Sequence, residues 1–191
     1  MHMHPLTTFT FDSAKILNST VRSAHEHSVQ YRVTTQKRGS SRQTTSLEGT
    51  SGTPLATIDW KSKTFEISGS RRDMADLRIR RGTFSSSYYW SWFDCEEYKV
   101  KYSAELDHTW TVYSYSGTVL ATFTSNIQRV FKDNSLPMLC ISQSIRDEDE
   151  RQFIILVLIY SEAKRLDSLK QRPLSAIGDL FGNAGDALGG Q

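Results

Sequence analysis

Between Thr7 and Ile145 apolar and polar residues alternate in short runs separated by polar turns, the period-two signature of strands with one buried face. Phe9 and Phe11 share one face of a first strand, and Val29, Tyr31 and Val33 share one face of another. Ala56, Ile58 and Trp60 alternate with Leu55, Thr57 and Asp59, and after Lys61-Ser62-Lys63 the pattern resumes at Phe65 and Ile67, which predicts a hairpin. Further strands are expected over 16–22, 42–47, 77–80, 88–93, 98–102, 110–115, 119–123, 128–131 and 138–145. The total is about a dozen, at the 8–12-residue spacing of a sandwich or barrel.

The pattern breaks at Asp147-Glu148-Asp149-Glu150. The segment runs on through Phe153 to Tyr160, eight apolar residues, and closes with Lys164-Arg165. Acid at the start and base at the end suit the helix macrodipole. The β-branched run makes a buried strand the rival for 153–160, but Glu162, Ala163, Lys164 and Leu166 continue in helical fashion, which predicts a helix over about 147–166. A helix apolar on every side must be enclosed. Since eight apolar residues fall short of the roughly 20 needed to cross a bilayer, the expected enclosure is protein: a closed antiparallel barrel of about twelve strands with the helix threaded through it. One domain over 7–169 is therefore expected, with flexible ends at 1–6 and in the Gly-rich 170–191. Within that tail Leu174, Ile177, Leu180 and Phe181 fall at helical spacing.

Composition agrees with a mainly β chain. There are 25 Ser and 18 Thr among 191 residues, only 4 Pro, and many aromatic residues. The net charge of +2 combines +6 over residues 1–90 with −4 over 91–191, and neither half has the basicity of a bulk nucleic-acid binder. Cys95 and Cys140, 45 residues apart and outside any zinc-type spacing, read as a reduced intracellular pair. No apolar stretch follows the N-terminal Met-His-Met-His-Pro, so no secretory signal is expected.

Leu55-Ala56-Thr57-Ile58-Asp59-Trp60, Phe65-Glu66-Ile67-Ser68-Gly69, Tyr89-Trp90 and the run from Ile154 to Tyr160 followed by Glu162-Ala163-Lys164-Arg165 together resemble a fungal domain family of unknown function. That family is in turn similar to the tubby C-terminal-like superfamily, which includes LURP-one-related proteins and phospholipid scramblases. The resemblance spans about residues 7–166 and rests on strand patterns rather than a catalytic signature. It implies a twelve-stranded barrel around a hydrophobic C-terminal helix. Because tubby domains bind phosphoinositides and scramblases act on membranes, it also implies phospholipid binding by a cytoplasmic protein peripheral to membranes. The Cys cluster and Pro-rich N-terminal region of the scramblases have no counterpart here.

The densest basic stretch places Arg71, Arg72, Arg78, Arg80 and Arg81 within eleven residues. Guanidinium forks bind phosphate bidentately, and on a strand Arg78 and Arg80 would project together while Leu77 and Ile79 point inward. These five arginines are the candidate ligand-binding set for an anionic lipid or phosphate; the plainer expectation is a solvated face partly neutralised by Asp73 and Asp76. Lys61 and Lys63 at a hairpin tip, and Lys99 and Lys101 on a strand, read as solubilising. His25 and His27 form an imidazole pair without a recognisable third metal ligand. Cys95, between Asp94 and Glu96, is a poor nucleophile. The run Tyr88, Tyr89, Trp90, Trp92 and Phe93 places aromatic rings on both sides of a strand. With no phosphate loop, catalytic motif or dinucleotide fingerprint, neither an enzyme nor a cofactor is expected. The reading is a non-enzymatic binding module for phospholipid or phosphoinositide headgroups. The alternative is a protein-interaction scaffold using the aromatic run and the segment from Leu174 to Phe181.

Overall fold

The computed structural model describes residues 5–79, 87–93, 96–125 and 135–171. Seven strands come first: β1 (Leu6–Phe11), β2 (Ser19–Ser23), β3 (Val29–Arg38), β4 (Ser41–Glu48), β5 (Pro54–Asp59), β6 (Thr64–Ile67) and β7 (Ser70–Asp73). A single helical turn, α1 (Met74–Leu77), leads into β8 (Arg78–Ile79), β9 (Ser87–Trp90), β10 (Tyr98–Ser103), β11 (Thr109–Tyr113), β12 (Val119–Thr124) and β13 (Met138–Ser142). The last element of the described residues is the long helix α2 (Glu148–Lys170). All thirteen strands form one antiparallel sheet in which each strand pairs with its neighbour in sequence, with two exceptions. β1 pairs with β13, bringing the two halves together, and β7 and β8 are the free edges.

The expected closed barrel is thus open at one seam among the described residues. The reason is local. α1 occupies the step between β7 and β8, and its buried Met74 and Leu77, at the i, i+3 spacing of one helix face, fill the gap that strand pairing would have closed. The Met74 N–H donates to the Lys63 carbonyl and the Ser91 N–H to the Leu77 carbonyl, both at 2.9 Å, which ties the turn to both sides. Phe65 of β6 stacks on Trp90 of β9 across the seam at 5.7 Å between centroids.

α2 is the axis about which the sheet wraps. Asp147 caps it by accepting the Glu150 N–H at 2.9 Å, satisfying one of the donors left free at a helix start. Every residue from Phe153 to Ile159 is buried, and these side chains meet the inward-facing residues of the strands, among them Phe11, Val33, Ile58, Val100 and Phe123. The strand alternative for 153–160 is set aside, and the helix runs four residues past the expected end, carried on by Asp167 and Lys170 at its polar terminus.

Several local expectations are corrected. Strand pairing begins at Leu6, opposite Ser142, one residue before the expected Thr7, and the Pro5 carbonyl accepts the Gln143 N–H at 2.9 Å. β2 starts only at Ser19, because Asp12 and Ser19 hold the preceding loop through a 2.7 Å hydrogen bond; Ile16 is buried within that loop. The expected strand at 128–131 and the segment from Leu174 to Phe181 lie outside the described residues.

Candidate anion-binding recess

The five arginines singled out from the sequence do not form one cluster. Arg80 and Arg81 lie outside the described residues. Arg71 and Arg72 sit on the edge strand β7, opposite Glu66 and Phe65 respectively, so their side chains leave opposite faces of the sheet. Arg71, its side chain 60% exposed, donates to Glu66 through Nε and Nη2 at 3.2 and 3.0 Å. Arg72 lies 5.3 Å over the Trp92 ring, and the shallow depression that Arg71 and Arg72 line also holds Asp73 and Asp76. A surface of such mixed sign is a poor phosphate cradle.

Arg78 behaves differently from the expectation as well. Leu77 is buried as expected, but Ile79 is 37% exposed, and Arg78 is the half-buried member of the pair. The inversion follows from α1: Leu77 belongs to the helical turn, so the strand alternation starts afresh at Arg78. The guanidinium stacks on the Tyr88 ring at 3.8 Å and lies 5.8 Å from that of Trp90. This places it in a recess of about 240 Å3 with Tyr160, Lys164, Arg165 and Ser168 from the last turns of α2.

The recess is built from strand aromatics on one side and helix cations on the other. Glu162, 1% exposed, lies behind it; its Oε2 accepts Trp110 Nε1–H at 2.9 Å and Arg165 Nε–H at 2.7 Å, and its Oε1 accepts Arg165 Nη2–H at 2.7 Å. The paired carboxylate raises the Arg165 pKa further and fixes the guanidinium in a bidentate fork. Arg165 also lies 5.2 Å over Tyr102, and Lys164 lies 5.8 Å over Tyr160. Burial pushes the Tyr160 hydroxyl's pKa upward, which keeps it a neutral donor or acceptor at neutral pH. Neither Arg78 nor Lys164 has a carboxylate within 4.0 Å among the described residues. Among the described residues, two cations without a carboxylate partner beside a third that is locked in place give the recess an excess of positive charge.

Sequence reasoning missed Lys164 and Arg165 as site residues because the helix macrodipole already accounted for basic residues at a helix end. The available signal was that a helix threaded through a sheet must deliver its last turn to one open end, next to whatever the strands present there. The aromatic run is divided by the fold. Trp90 and Trp92 are core residues, Tyr88 faces the recess, and Tyr89 faces outward beside Lys99 and Tyr113. His25 and His27 lie in the connection between β2 and β3, His27 with φ of 57°, and no metal-holding group of three or more His, Cys, Asp or Glu occurs among the described residues. Cys140 is a free thiol near Thr8, and Cys95 lies outside the described residues. No helix among the described residues is long and apolar enough to cross a membrane.

Fold and recess define a mainly β domain organised around a buried C-terminal helix, with its candidate site where that helix emerges. The chain belongs to DUF6593, a family of unknown function, whose model matches residues 14–167. No curated protein matches. Among solved structures it is similar to the X-ray structure of a protein from Arabidopsis thaliana, with 16% identity, coverage of 83% of this chain and 91% of that one, and a TM-score of 0.46.

Proposed function

We propose that the protein is a non-enzymatic binding module for a phosphorylated headgroup, with the recess as its site and a membrane surface as its place of work. The observation that carries this reading is the convergence of Arg78, Lys164 and Arg165, two of them without an acidic partner among the described residues, on a recess walled by Tyr88, Trp90 and Tyr160. Guanidinium and ammonium donors suit phosphate oxygens, and the aromatic walls suit the carbon skeleton of a headgroup. The resemblance to tubby-like domains of cytoplasmic, membrane-peripheral proteins points the same way. The polar groups beside the cations are engaged within the protein: Glu162 uses both oxygens on Trp110 and Arg165, and the Ser168 hydroxyl donates to the Lys164 carbonyl at 3.0 Å.

The test is sedimentation with vesicles of phosphatidylcholine alone, with phosphatidylserine, and with phosphoinositides. The wild-type chain should bind the phosphoinositide vesicles best. Arg78→Glu combined with Lys164→Glu should remove most of that binding, since each basic contact to an anionic membrane contributes about 1 kcal/mol and reversal adds repulsion. Equal binding by wild type and a folded double variant would overturn the assignment and put the interaction-scaffold reading ahead.

A further inference from the structure

The two ends of α2 carry opposite charge, and strand direction shows which loops belong to each. Tyr31 near the start of β3 donates to Glu148 at 2.9 Å, so β3 begins beside the helix N-terminus and runs toward Arg38 at the other end. Arg42, just past the β3–β4 turn, confirms this by pairing with Asp167 at 2.7 Å. β5 leads into Trp60, whose ring stacks on Tyr160 at 5.5 Å, so the following turn with Lys61 and Lys63 also lies at the C-terminal end. Around the helix N-terminus are Asp147, Glu148, Asp149 and Glu150, with Glu96 held to Tyr98 beside Glu150.

Arg38, Lys61, Lys63, Arg78, Lys164 and Lys170 therefore share one end of the molecule. None has a carboxylate within 4.0 Å among the described residues. The acids at this end are Asp59, which accepts the N–H groups of Lys61 and Ser62, both at 2.9 Å, Asp167, paired with Arg42, and the exposed Asp73 and Asp76 on the β7–α1 side, so the cations named outnumber them. The far side of the same end is different, since the β10–β11 turn carries Glu105 and Asp107. The positive surface is one-sided, extending from the β3–β4 and β5–β6 turns to the helix terminus and bounded by Asp73 and Asp76 at β7–α1.

We infer that this sector is the face that rests on an anionic bilayer, with the C-terminal end of α2 toward the lipid and the molecule tilted onto β3–β6. The inference rests on the headgroup reading for its partner and adds residues that the recess does not contain. A soluble phosphate would engage the recess alone, whereas cations spread over several turns act together only on an extended charged surface. Their attraction acts within a Debye length of about 8 Å at physiological salt, so only the end facing the membrane contributes.

The experiment is sedimentation of the full chain with vesicles of phosphatidylcholine and phosphatidylserine. Arg38→Glu, Lys61→Glu and Lys63→Glu together should weaken binding by at least about tenfold and leave the melting temperature unchanged, because all three side chains are exposed. Lys61→Gln with Lys63→Gln, which keeps the turn and removes only charge, should weaken it by about fivefold or more. Arg146→Glu, exposed at the opposite end, should change binding by less than about twofold, the remnant expected beyond the screening distance. Wild-type binding by the triple variant, or an equal loss per charge in Arg146→Glu, would overturn the proposed face. If the triple variant binds normally while Arg78→Glu/Lys164→Glu does not, the headgroup site stands without the bilayer face; the reverse result removes the recess and keeps the face.

Discussion

Two carboxylates of α2 are held by side chains of the surrounding strands. Glu162 is buried with Arg165 and Trp110 as its partners, and removing it leaves a largely buried guanidinium and an indole N–H unpaired. Glu162→Ala should destabilise by about 3–5 kcal/mol, the usual result of breaking one side of a buried pair. A denaturation midpoint within error of wild type would contradict the assigned pairing. At the opposite end, the Tyr98 hydroxyl lies 2.5 Å from Glu96 Oε2 and 2.9 Å from Glu150 Oε1, although one phenolic proton can serve only one acceptor at a time. Burial is the largest influence on Glu150, and with the nearby Glu96 and Asp147 charges it raises the pKa above the ordinary carboxylate range despite the Tyr98 hydrogen bond. A carboxyl whose folded pKa is raised stabilises the fold fully below its ordinary pKa, and that stabilisation is lost as pH rises through the folded value. Melting temperature should accordingly fall above the ordinary carboxylate range in wild type, and the fall should be smaller in Glu150→Gln. Parallel profiles for the two proteins would exclude Glu150 as the source.

At the scale of elements, the helix was legible and the seam was not. The run from Phe153 to Tyr160, with acid before it and base after it, specified a buried helix because no exposed face could be assigned. Its prediction follows directly: Leu156→Asp places an unpaired charge among fully buried apolar side chains, costing several kcal/mol against a typical total of about 5–15 kcal/mol. Soluble, wild-type-like melting of that variant would refute the helix as the axis of the core. The strands with clean alternation, such as 55–59 and 64–67, were equally readable. The stretch from Ser70 to Ile79 was not, because two short strands and one helical turn follow each other with too few residues for any period to emerge. The i, i+3 pair Met74 and Leu77 was the only sign of α1, and reading Leu77 as a strand residue reversed the expected orientation of Arg78 and Ile79.

For the whole molecule, the charge polarity along α2 predicts that vesicle binding is salt-sensitive, weakening severalfold as the Debye length shrinks from about 10 Å at 0.1 M salt toward about 3 Å at 1 M. Binding unchanged over that range would point to apolar contact instead. The sequence by itself determined the mainly β architecture and the enclosed helix, because burial period is a local property of each segment. It also exposed the arginine-rich stretch, yet not which arginine belongs to a site. Arg71 is turned to Glu66, Arg72 lies over Trp92, and only Arg78 among the described members meets Lys164 and Arg165, residues more than eighty positions away. Tertiary structure decided that meeting, along with the open seam and the common end shared by the basic turns. Each depends on how strands of opposite direction are laid around one axis, and that arrangement brings together side chains whose separation in sequence carries no period or motif.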